Sequence, residues 1–284
     1  MPGLTIISHF FNEEYLLPFW LEYHSTIFEN GVMIDYCSTD NSTKMINQIC
    51  PNWKIVKTKN IKSDGSPNFE AKLVDDEVKE IEKTIEGYKI CLNTTEFLFF
   101  EQSTTEEFIN SLSPNMYYHM APFSIMTKKV NTFPTNLIDF FQDIQLIDNK
   151  ISSRGHRILH SDTELNYCHG RHSHYGGNTN TNIYRTDAVI LWSGFYPCNS
   201  EMIKRKLQIQ QNMPPTNKYN GAGHQHIVNH KELLKMYNTE SRKHYNITDN
   251  QYEYILKMIN NTCCNKLKKN IYYSELINEG HWGG

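Results

Sequence analysis

Residues 89–100 read KICLNTTEFLFF, an apolar run that breaks into polar residues and then becomes apolar again. The first apolar part has the length and composition of a short buried strand. The break, Asn93-Thr94-Thr95-Glu96, therefore stands at the carboxyl end of a predicted strand. Two explanations are open at this point: a plain loop between two core elements, or a binding site whose polar groups face a ligand.

Three similar apolar runs precede this stretch and alternate with helical patterns. They predict strands that begin near residues 4, 32 and 53, in LTIIS, VMIDYCSTD and WKIVKTK. The segment LLPFWLEYHSTIF has apolar residues at helical spacing, with Pro18 in the first turn and Gly31 as the end of the helix. The segment NFEAKLVDDEVKEIEKTIEGY predicts an acidic amphipathic helix that Gly87 ends.

The alternation of strands and helices predicts an α/β fold with a mostly parallel sheet and helices on both faces. In such sheets ligands bind at the carboxyl ends of the strands. The three polar segments at these ends are SHFFNEE (8–14), DYCSTDNS (35–42) and NTTEF (93–97). We therefore expect any functional site to involve these three loops.

The later part of the chain is less regular. Residues 113–129 have the composition of a strand, and TNIYRTDAVILWS (181–193) fits a strand or a short helix. A helix is predicted in NSEMIKRKLQIQQNM, with Asn199 or Ser200 as its cap and Glu201 in its first turn. A Pro/Gly loop then leads into a further helix. The simplest division is one domain over residues 1–235 and a helical extension over 236–284.

Composition limits the class of protein. The 284-residue chain has a formal net charge of -3, so bulk charge does not draw it to nucleic acid. No apolar run approaches the roughly 18 residues that a membrane span needs, and the N-terminus has no signal-peptide pattern. The seven cysteines are odd in number and contain no CxxC pair. These features predict a soluble, cytoplasmic protein in a reducing compartment.

Three segments, taken in order, carry a resemblance to a known family. ISHFFNEEYLLPFWLEYH, MIDYCSTDNS and YKICLNTTEFLFF together resemble the amino-terminal half of GT-A-fold glycosyltransferases, and within these the family-2-like enzymes. The resemblance covers roughly the first hundred residues. It implies a GT-A-type, Rossmann-like fold with a donor half over about 1–110 and an acceptor half over about 111–235.

The resemblance also implies an activity. An enzyme of this group moves a sugar from a nucleotide-sugar donor, here most simply a UDP-sugar, to a hydroxyl acceptor on a glycan or a protein. Two other functions stay open: a histidine-rich, metal-dependent hydrolase, and a non-catalytic protein that binds nucleotide sugars. A dinucleotide-binding enzyme is disfavoured because no GxGxxG follows the first strand.

The resemblance places the nucleotide beside the first two polar loops. Asp35 would accept a hydrogen bond from a uracil N–H, and Phe10 or Phe11 would pack on the base. Structural alternatives exist, because Asp and Asn also cap loops and helices. The residues that the resemblance assigns to the donor are Phe10, Asn12, Glu13, Asp35, Ser38, Thr39, Asn93, Thr95 and Glu96.

In the family, the fourth strand ends in Asp-x-Asp, which binds Mn²⁺ or Mg²⁺ because hard cations prefer oxygen ligands. The metal then neutralises the leaving diphosphate. In this chain Asn93 and Thr95 stand at the two Asp positions, and Glu96 and Phe97 fit the pair that follows. The motif is thus degenerate.

Three explanations of the degenerate motif are open. The reaction is metal-independent and uses basic side chains for the diphosphate; or Glu96 and histidines rebuild an Mn²⁺ or Mg²⁺ site; or the protein is a non-catalytic relative. The basic candidates are Arg157, Arg171, Arg205 and Lys206.

Histidines cluster in HGRHSH (169–174) and GHQH (223–226). Clustered imidazoles are a common metal signature, although ordinary loops also contain histidine. GT-A enzymes often supply a late histidine as a metal ligand. His172 is our candidate for that role, with His224 and His226 as substitutes.

An inverting transfer needs a base for the acceptor hydroxyl. Glu201 is the candidate, and Asp162 and Glu164 are its rivals. The structural alternative for Glu201 is a first-turn carboxylate that the helix dipole stabilises. The stereochemistry and the oligomeric state are not defined by the sequence.

Overall fold

The computed structural model describes residues 3–101, 104–126, 134–142, 144, 146–147, 155–179, 181–219, 228–243, 250 and 253–259. The strands in this part of the chain are β1 (Leu4–Phe10), β2 (Asn30–Asp35), β3 (Lys54–Lys57), β4 (Tyr88–Cys91), β5 (Glu96–Phe100), β6 (Tyr117–Met126), β7 (Leu146–Ile147), β8 (Arg157–His160), β9 (Asn166–Tyr167), β10 (His174–Gly176) and β11 (Asn182–Trp192). The helices are α1 (Leu17–His24), α2 (Ser42–Ile49), α3 (Ala71–Glu82), α4 (Thr105–Asn110), α5 (Leu137–Gln142), α6 (Ser200–Gln210), α7 (Pro215–Tyr219) and α8 (His230–Lys243), with a 3-10 turn at His169–Arg171.

One large sheet organises the described residues. Its strand order is β3-β2-β1-β4-β8-β6-β11-β5, and β7 pairs with β6 at the side. The pairings β3–β2, β2–β1, β1–β4 and β6–β11 are parallel, and β8 is antiparallel to both β4 and β6. Strands β1, β2, β3, β4, β6 and β11 therefore run in one direction, which confirms the predicted mostly parallel α/β fold.

Side chains of the central strands alternate between two apolar clusters, because successive residues of a strand point to opposite faces. Leu4, Ile6 and Phe10 of β1 belong to the main core, which also contains the buried face of α1. Ile7 faces the other side, where it joins Val74 and Val78 of α3. Helices therefore cover both faces of the sheet, as predicted.

The first helix differs from its prediction at its end. Pro18 lies in the first turn as expected, but α1 ends at His24, and Gly31 is inside β2. The helix closes through the turn after it, where Phe28 N donates to His24 O at 2.8 Å. Gly31 serves packing instead: a Cβ at this position would lie 2.3 Å from the ring of Trp53.

Two other elements refine the sequence prediction. Helix α2 was not predicted, and β11 adopts the strand rather than the helix alternative. In α6 the cap is Asn199, whose Oδ1 accepts a hydrogen bond from Met202 N at 3.1 Å, as one of the two predicted caps.

The C-terminal part of the described chain shares the main core. Helix α8 runs across residue 235, where the sequence division was placed. Leu233 and Tyr237, on either side of that residue, are both buried in the main core, and so is Ile255. Among the described helices, none has the length and apolar character needed to cross a lipid bilayer.

His24 joins α1 to β5 inside the core. Its Nδ1 lies 3.0 Å from Trp20 O, and its Nε2 lies 3.4 Å from Leu98 N. Since Leu98 N can only donate, Nε2 accepts and Nδ1 donates to the carbonyl. Burial of the ring lowers the pKa of His24 from 6.5 to about 3. The core therefore accommodates only the neutral imidazole.

The His24→Gln variant tests this arrangement. In the wild type, the unfolded chain binds a proton at His24 between pH 6.5 and about 3 while the folded chain does not, so stability falls as the pH falls. Glutamine cannot take up that proton. We expect the slope of the unfolding free energy against pH to be smaller in the variant than in the wild type, by about 1.4 kcal/mol per pH unit in this window. Urea unfolding at a series of pH values measures the slope; an unchanged slope would contradict the assignment.

Candidate functional site

The loops after β1 and β2 are tied together at the carboxyl edge of the sheet. Asn12 Oδ1 accepts from Thr39 N at 2.7 Å, and Asn12 N donates to Ser38 Oγ at 3.1 Å. Glu13 N donates to Ser42 Oγ at 2.9 Å. The predicted donor residues of these two loops therefore do meet, and several of their polar atoms bind one another. Asn12 is not a helix cap, because the capping position of α1 is Leu16.

Asp35, the last residue of β2, stabilises the loop that follows this strand. Its side chain is fully buried, its Oδ1 accepts from Ser38 N at 2.7 Å, and its Oδ2 is paired with Lys57 Nζ at the end of β3. The exposed end of this pair is Lys57. The loop-capping alternative for Asp35 thus has a direct structural basis, and contact with a base stays a prediction.

Aromatic side chains line the same edge. Phe11 is half-buried and packs on Phe69, with the ring centroids 5.6 Å apart. Phe69 in turn stacks on Tyr36 at 5.1 Å. Phe10, in contrast, is 1% exposed in the main core. Of the two neighbouring phenylalanines, Phe11 is the more exposed, and contact of Phe10 with the donor stays a prediction.

Helix α6, which is distant in sequence, is bound to the loop after β1. Arg205 Nε donates to a carboxylate oxygen of Glu13 in a buried ion pair. Burial raises the pKa of Glu13, although Arg205 opposes this shift. Gln208 Nε2 also donates to Phe11 O at 3.0 Å. Glu13 and Arg205 are thus committed to holding α6 against the loop.

The carboxylate of Glu96 is held at four points. Arg157 donates to it in a fork, from Nε to Oε2 at 2.8 Å and from Nη2 to Oε1 at 2.5 Å. Asn93 N donates to Oε2 at 2.8 Å, and Asn93 Nδ2 donates to Oε1 at 3.2 Å. Burial raises the pKa of Glu96, but the Arg157 guanidinium outweighs this and holds it below its usual value. Glu96 is therefore an ionised, internally satisfied group.

A second guanidinium lies beside this pair. Arg171 Nη1 donates to Asp75 Oδ1 at 2.7 Å, and Nη2 donates to Asn93 Oδ1 at 3.2 Å. Arg171 belongs to the 3-10 turn, where Gly170 has a φ of 78° and Arg171 a φ of 60°. Gly170 N donates to Asp75 Oδ2 at 3.0 Å, and Gly170 O accepts from Arg157 Nη1. The turn is thereby clamped between α3 and β8.

Two neutral imidazoles complete this surrounding. Burial, together with Arg157, lowers the pKa of His172 from 6.5 to about 4. Burial and the positive charge of Arg171 likewise lower the pKa of His9. The Nδ1 atoms of both rings are buried and have no hydrogen-bond partner within the described chain. The two rings add no charge to the site near neutral pH.

These residues do not fit a divalent cation. Glu96 already has four donors on its two oxygens, and Asn93 Oδ1 accepts from a guanidinium. His172 lies in the field of Arg157, which repels a second cation. Over the described ranges there is no group of three or more His, Cys, Asp or Glu that could hold a metal ion. His224 and His226 lie outside the described residues.

Thr95, the other residue of the 93–96 turn predicted to contact the donor, makes its hydrogen bonds through its main chain. Thr95 is buried, and its carbonyl oxygen accepts from Ser193 N at 2.7 Å and from Ser193 Oγ at 3.0 Å. These bonds join the turn before β5 to the end of β11. They fix the start of β5, where Glu96 is located.

Two histidines of HGRHSH, His172 and His174, have different surroundings. The pKa of His172 responds to the charges of Arg157 and Glu96, whereas His174 Nε2 lies 2.7 Å from Asn182 Oδ1. His119 Nε2 lies at the same distance from that oxygen, and the ring of His156 is 5.9 Å from the ring of His119. The motif therefore does not form one cluster. Sequence spacing could not identify His119 and His156, because they come from distant elements.

The three carboxylates considered as a base differ in their surroundings. Asp162 accepts from Tyr117 OH, from Asn178 N at 2.6 Å and from Glu164 N at 2.7 Å, so it organises a loop. Glu164 is exposed. Glu201 lies in the first turn of α6, with its Oε2 3.7 Å from Lys204 Nζ.

Comparison with known proteins gives distant structural matches only. No protein-family model matches the chain, and no curated protein matches it. A 1–349 fragment of TarS from S. aureus is 12% identical with a TM-score of 0.38, over 92% of this chain and 82% of that one. The same fragment in complex with UDP-GlcNAc is 11% identical with a TM-score of 0.38, over 92% and 83%.

A third match is the mannosyltransferase PcManGT from Pyrobaculum calidifontis in complex with GDP-Man and Mn²⁺. It is 12% identical with a TM-score of 0.37, over 74% of this chain and 63% of that one. At TM-scores below 0.5, these likenesses do not define an activity for the present chain.

The Glu96→Gln variant tests the buried ion pair. It leaves the Arg157 charge buried without a counter-ion, so we expect a loss of about 3–5 kcal/mol of stability at pH 7. The wild type should lose that advantage as the pH falls through the lowered pKa of Glu96, because protonation then removes the same charge. Urea unfolding at pH 7 and under acid conditions measures both effects.

The matched control is Glu201→Gln, whose side chain is partly exposed and makes only a 3.7 Å ion pair. We expect its stability to change by less than about 0.5 kcal/mol. Equal effects of the two variants would contradict the central place of Glu96.

Proposed function

We propose that the protein is a glycosyltransferase that moves a sugar from a nucleotide-sugar donor to a hydroxyl acceptor on a glycan or a protein. One observation carries the proposal. The three segments that resemble the GT-A donor half follow β1, β2 and β4, which are neighbours in the sheet. They therefore lie along one carboxyl edge, which is where ligands bind in sheets of this kind.

The surface along this edge suits the parts of a nucleotide. The proposed base platform is the half-buried ring of Phe11, supported by Phe69. Thr39, in the exposed part of the second loop, is within reach of a ribose, and Ser38 connects that loop to Asp35. A UDP-sugar is the preferred donor in this proposal, because Asp35 can pair with a uracil N–H if Lys57 releases one of its oxygens.

The transfer itself requires the acceptor oxygen to attack the anomeric carbon as the bond to the diphosphate breaks. In an inverting reaction a base takes the acceptor proton. Glu201 is the proposed base, because its carboxylate is less committed than that of Asp162 and it lies on the helix that Arg205 fastens to the first loop. A Glu201→Gln variant with full transfer activity would remove it from this role.

A non-catalytic nucleotide-sugar-binding protein is the second candidate. It is favoured because several polar groups along this edge already have partners within the protein. Asp35 accepts from Ser38 N, and Glu96 accepts from Arg157. The metal-dependent hydrolase receives no support from the described residues, which contain no group of three or more His, Cys, Asp or Glu that could hold a metal ion. Turnover of any donor, including slow hydrolysis, distinguishes the first candidate from the second.

The donor proposal predicts that Phe11 contributes to nucleotide binding. The experiment is a thermal-shift screen against UDP-, GDP- and dTDP-sugars, followed by calorimetry with the best ligand. We expect Phe11→Ala to weaken binding by about 1–3 kcal/mol, the usual contribution of a base stacked on an aromatic ring. Tyr175→Ala is the matched control, since Tyr175 is an exposed aromatic residue on β10.

Two outcomes would contradict this prediction. The absence of binding by every nucleotide sugar would overturn the proposed function. Equal weakening by Phe11→Ala and Tyr175→Ala would leave the function in place but remove Phe11 as the base platform.

A further inference from the structure

A positively charged side chain, Arg171, lies in contact with the degenerate motif at residues 93–96. Asn93 stands at the position of the first Asp in the resemblance, and its Oδ1 accepts a hydrogen bond from Arg171 Nη2 at 3.2 Å. Arg171 is thus in direct contact with the residue that would otherwise be a metal ligand. The contact is fixed from behind, because Asp75 on α3 accepts from the other terminal nitrogen at 2.7 Å.

Arg171 also has unused donor capacity. A guanidinium carries five N–H groups in a rigid fork. The Nε of Arg171 is buried, has no hydrogen-bond partner in the part of the chain that the structure describes, and belongs to a residue that is 3% exposed. Buried donors are seldom left unpaired. Within the described residues, Arg171 therefore keeps one unpaired donor beside the strand-end turn.

The change from Asp-x-Asp to Asn-x-Thr removes two negative charges from the same place. Two carboxylates would need a divalent cation before a diphosphate could approach. With Asn93 and Thr95 in their place those two charges are absent, and the neighbouring carboxylates of Glu96 and Asp75 are each paired with a guanidinium. Planar forks suit phosphate oxygens, which they bind with two parallel hydrogen bonds.

Arg157 has a different part. Its fork is filled by Glu96, and its Nη1 donates to Gly170 O, next to Arg171 in the turn. It therefore acts as a positioning residue that sets the turn from which Arg171 projects. Arg157 thus uses its fork on Glu96, whereas Arg171 keeps one donor, its Nε, unpaired among the residues described.

We infer that Arg171 binds the diphosphate of the donor in place of a metal ion, so that the site works without a divalent cation. The inference rests on the proposed function for the identity of the ligand. Its chemical content, a metal-independent pyrophosphate site built on Arg171, can be tested separately with inorganic pyrophosphate.

The first experiment is calorimetry with inorganic pyrophosphate in EDTA, on the wild type, Arg171→Gln and Asp75→Asn. Both variants break the ion pair between Arg171 and Asp75, and both disturb the 3-10 turn, because Asp75 also accepts from Gly170 N. Only Arg171→Gln removes the guanidinium itself. We expect the wild type to bind, Arg171→Gln to bind at least tenfold more weakly, and Asp75→Asn, which keeps the guanidinium but loses its support, to bind more tightly than Arg171→Gln. Equal weakening by the two variants would overturn the inference, as would binding that requires Mn²⁺.

Folding of each variant is checked by its Tm. If Arg171→Gln does not fold, Arg171→Lys takes its place, since it keeps the charge near Asp75 but loses the fork. We expect this variant to bind pyrophosphate several-fold more weakly than the wild type. Unchanged binding by a folded Arg171→Lys variant would contradict bidentate recognition.

The second experiment restores part of the original motif with Asn93→Asp. The new carboxylate would pair with Arg171, so we expect weaker pyrophosphate binding in EDTA and no rescue by Mn²⁺. Tighter, Mn²⁺-dependent binding by this variant, with Mn²⁺-dependent binding in the wild type, would show that the site is a metal site.

Nucleotide-sugar binding by the same variants separates this inference from the proposed function. If nucleotide sugars bind the wild type and Arg171→Gln equally well, the function stands and the role of Arg171 fails. If pyrophosphate binds through Arg171 but no nucleotide sugar binds, the anion site stands and the proposed function fails.

Discussion

The buried ion pair between Glu96 and Arg157 is the interaction on which the site depends. It joins the first residue of β5 to the first residue of β8, and the same carboxylate accepts from Asn93 N in the turn after β4. Arg157 then holds Gly170 O, which places the turn that carries Arg171. Removal of either member of such a pair lowers the stability of the fold, because the charge of the other member is left buried without a counter-ion. Its geometry therefore fixes the position of the whole strand-end network.

The loops along the carboxyl edge are pre-organised by contacts from distant parts of the chain. Asn12 binds the loop after β2, and Arg205 on α6 binds Glu13 in the loop after β1. Loops that are already ordered lose less conformational entropy when a ligand binds. The paired state of these polar residues is therefore compatible with a binding surface that includes the half-buried ring of Phe11, and in the described part of the chain the buried Nε of Arg171 is an unpaired donor.

The sequence predicted β1 to β4 and the mostly parallel sheet, because buried strands and amphipathic helices have strong periodic patterns. It did not predict β8, which lies between β4 and β6. The burial of Phe10 can be predicted from the same pattern, because Leu4, Ile6 and Phe10 alternate along β1 and share its core face, whereas Phe11 follows the strand. The pairing of Arg171 with Asp75 could not be predicted from the sequence pattern. Asp75 resembles the solvated residues of an acidic helix, and only the tertiary fold brings it to a turn 96 residues away.

The most direct test of the account is the ¹H–¹⁵N spectrum of the arginine Nε groups, assigned through Arg171→Gln and recorded in EDTA with and without UDP. The account predicts that the Arg171 Nε resonance moves on addition of UDP, while the Arg185 Nε resonance, which reports a pair with Asp187 on β11, does not. A Nε resonance of Arg171 that stays in place under saturating UDP would contradict the account. So would UDP binding that appears only after Mn²⁺ is added.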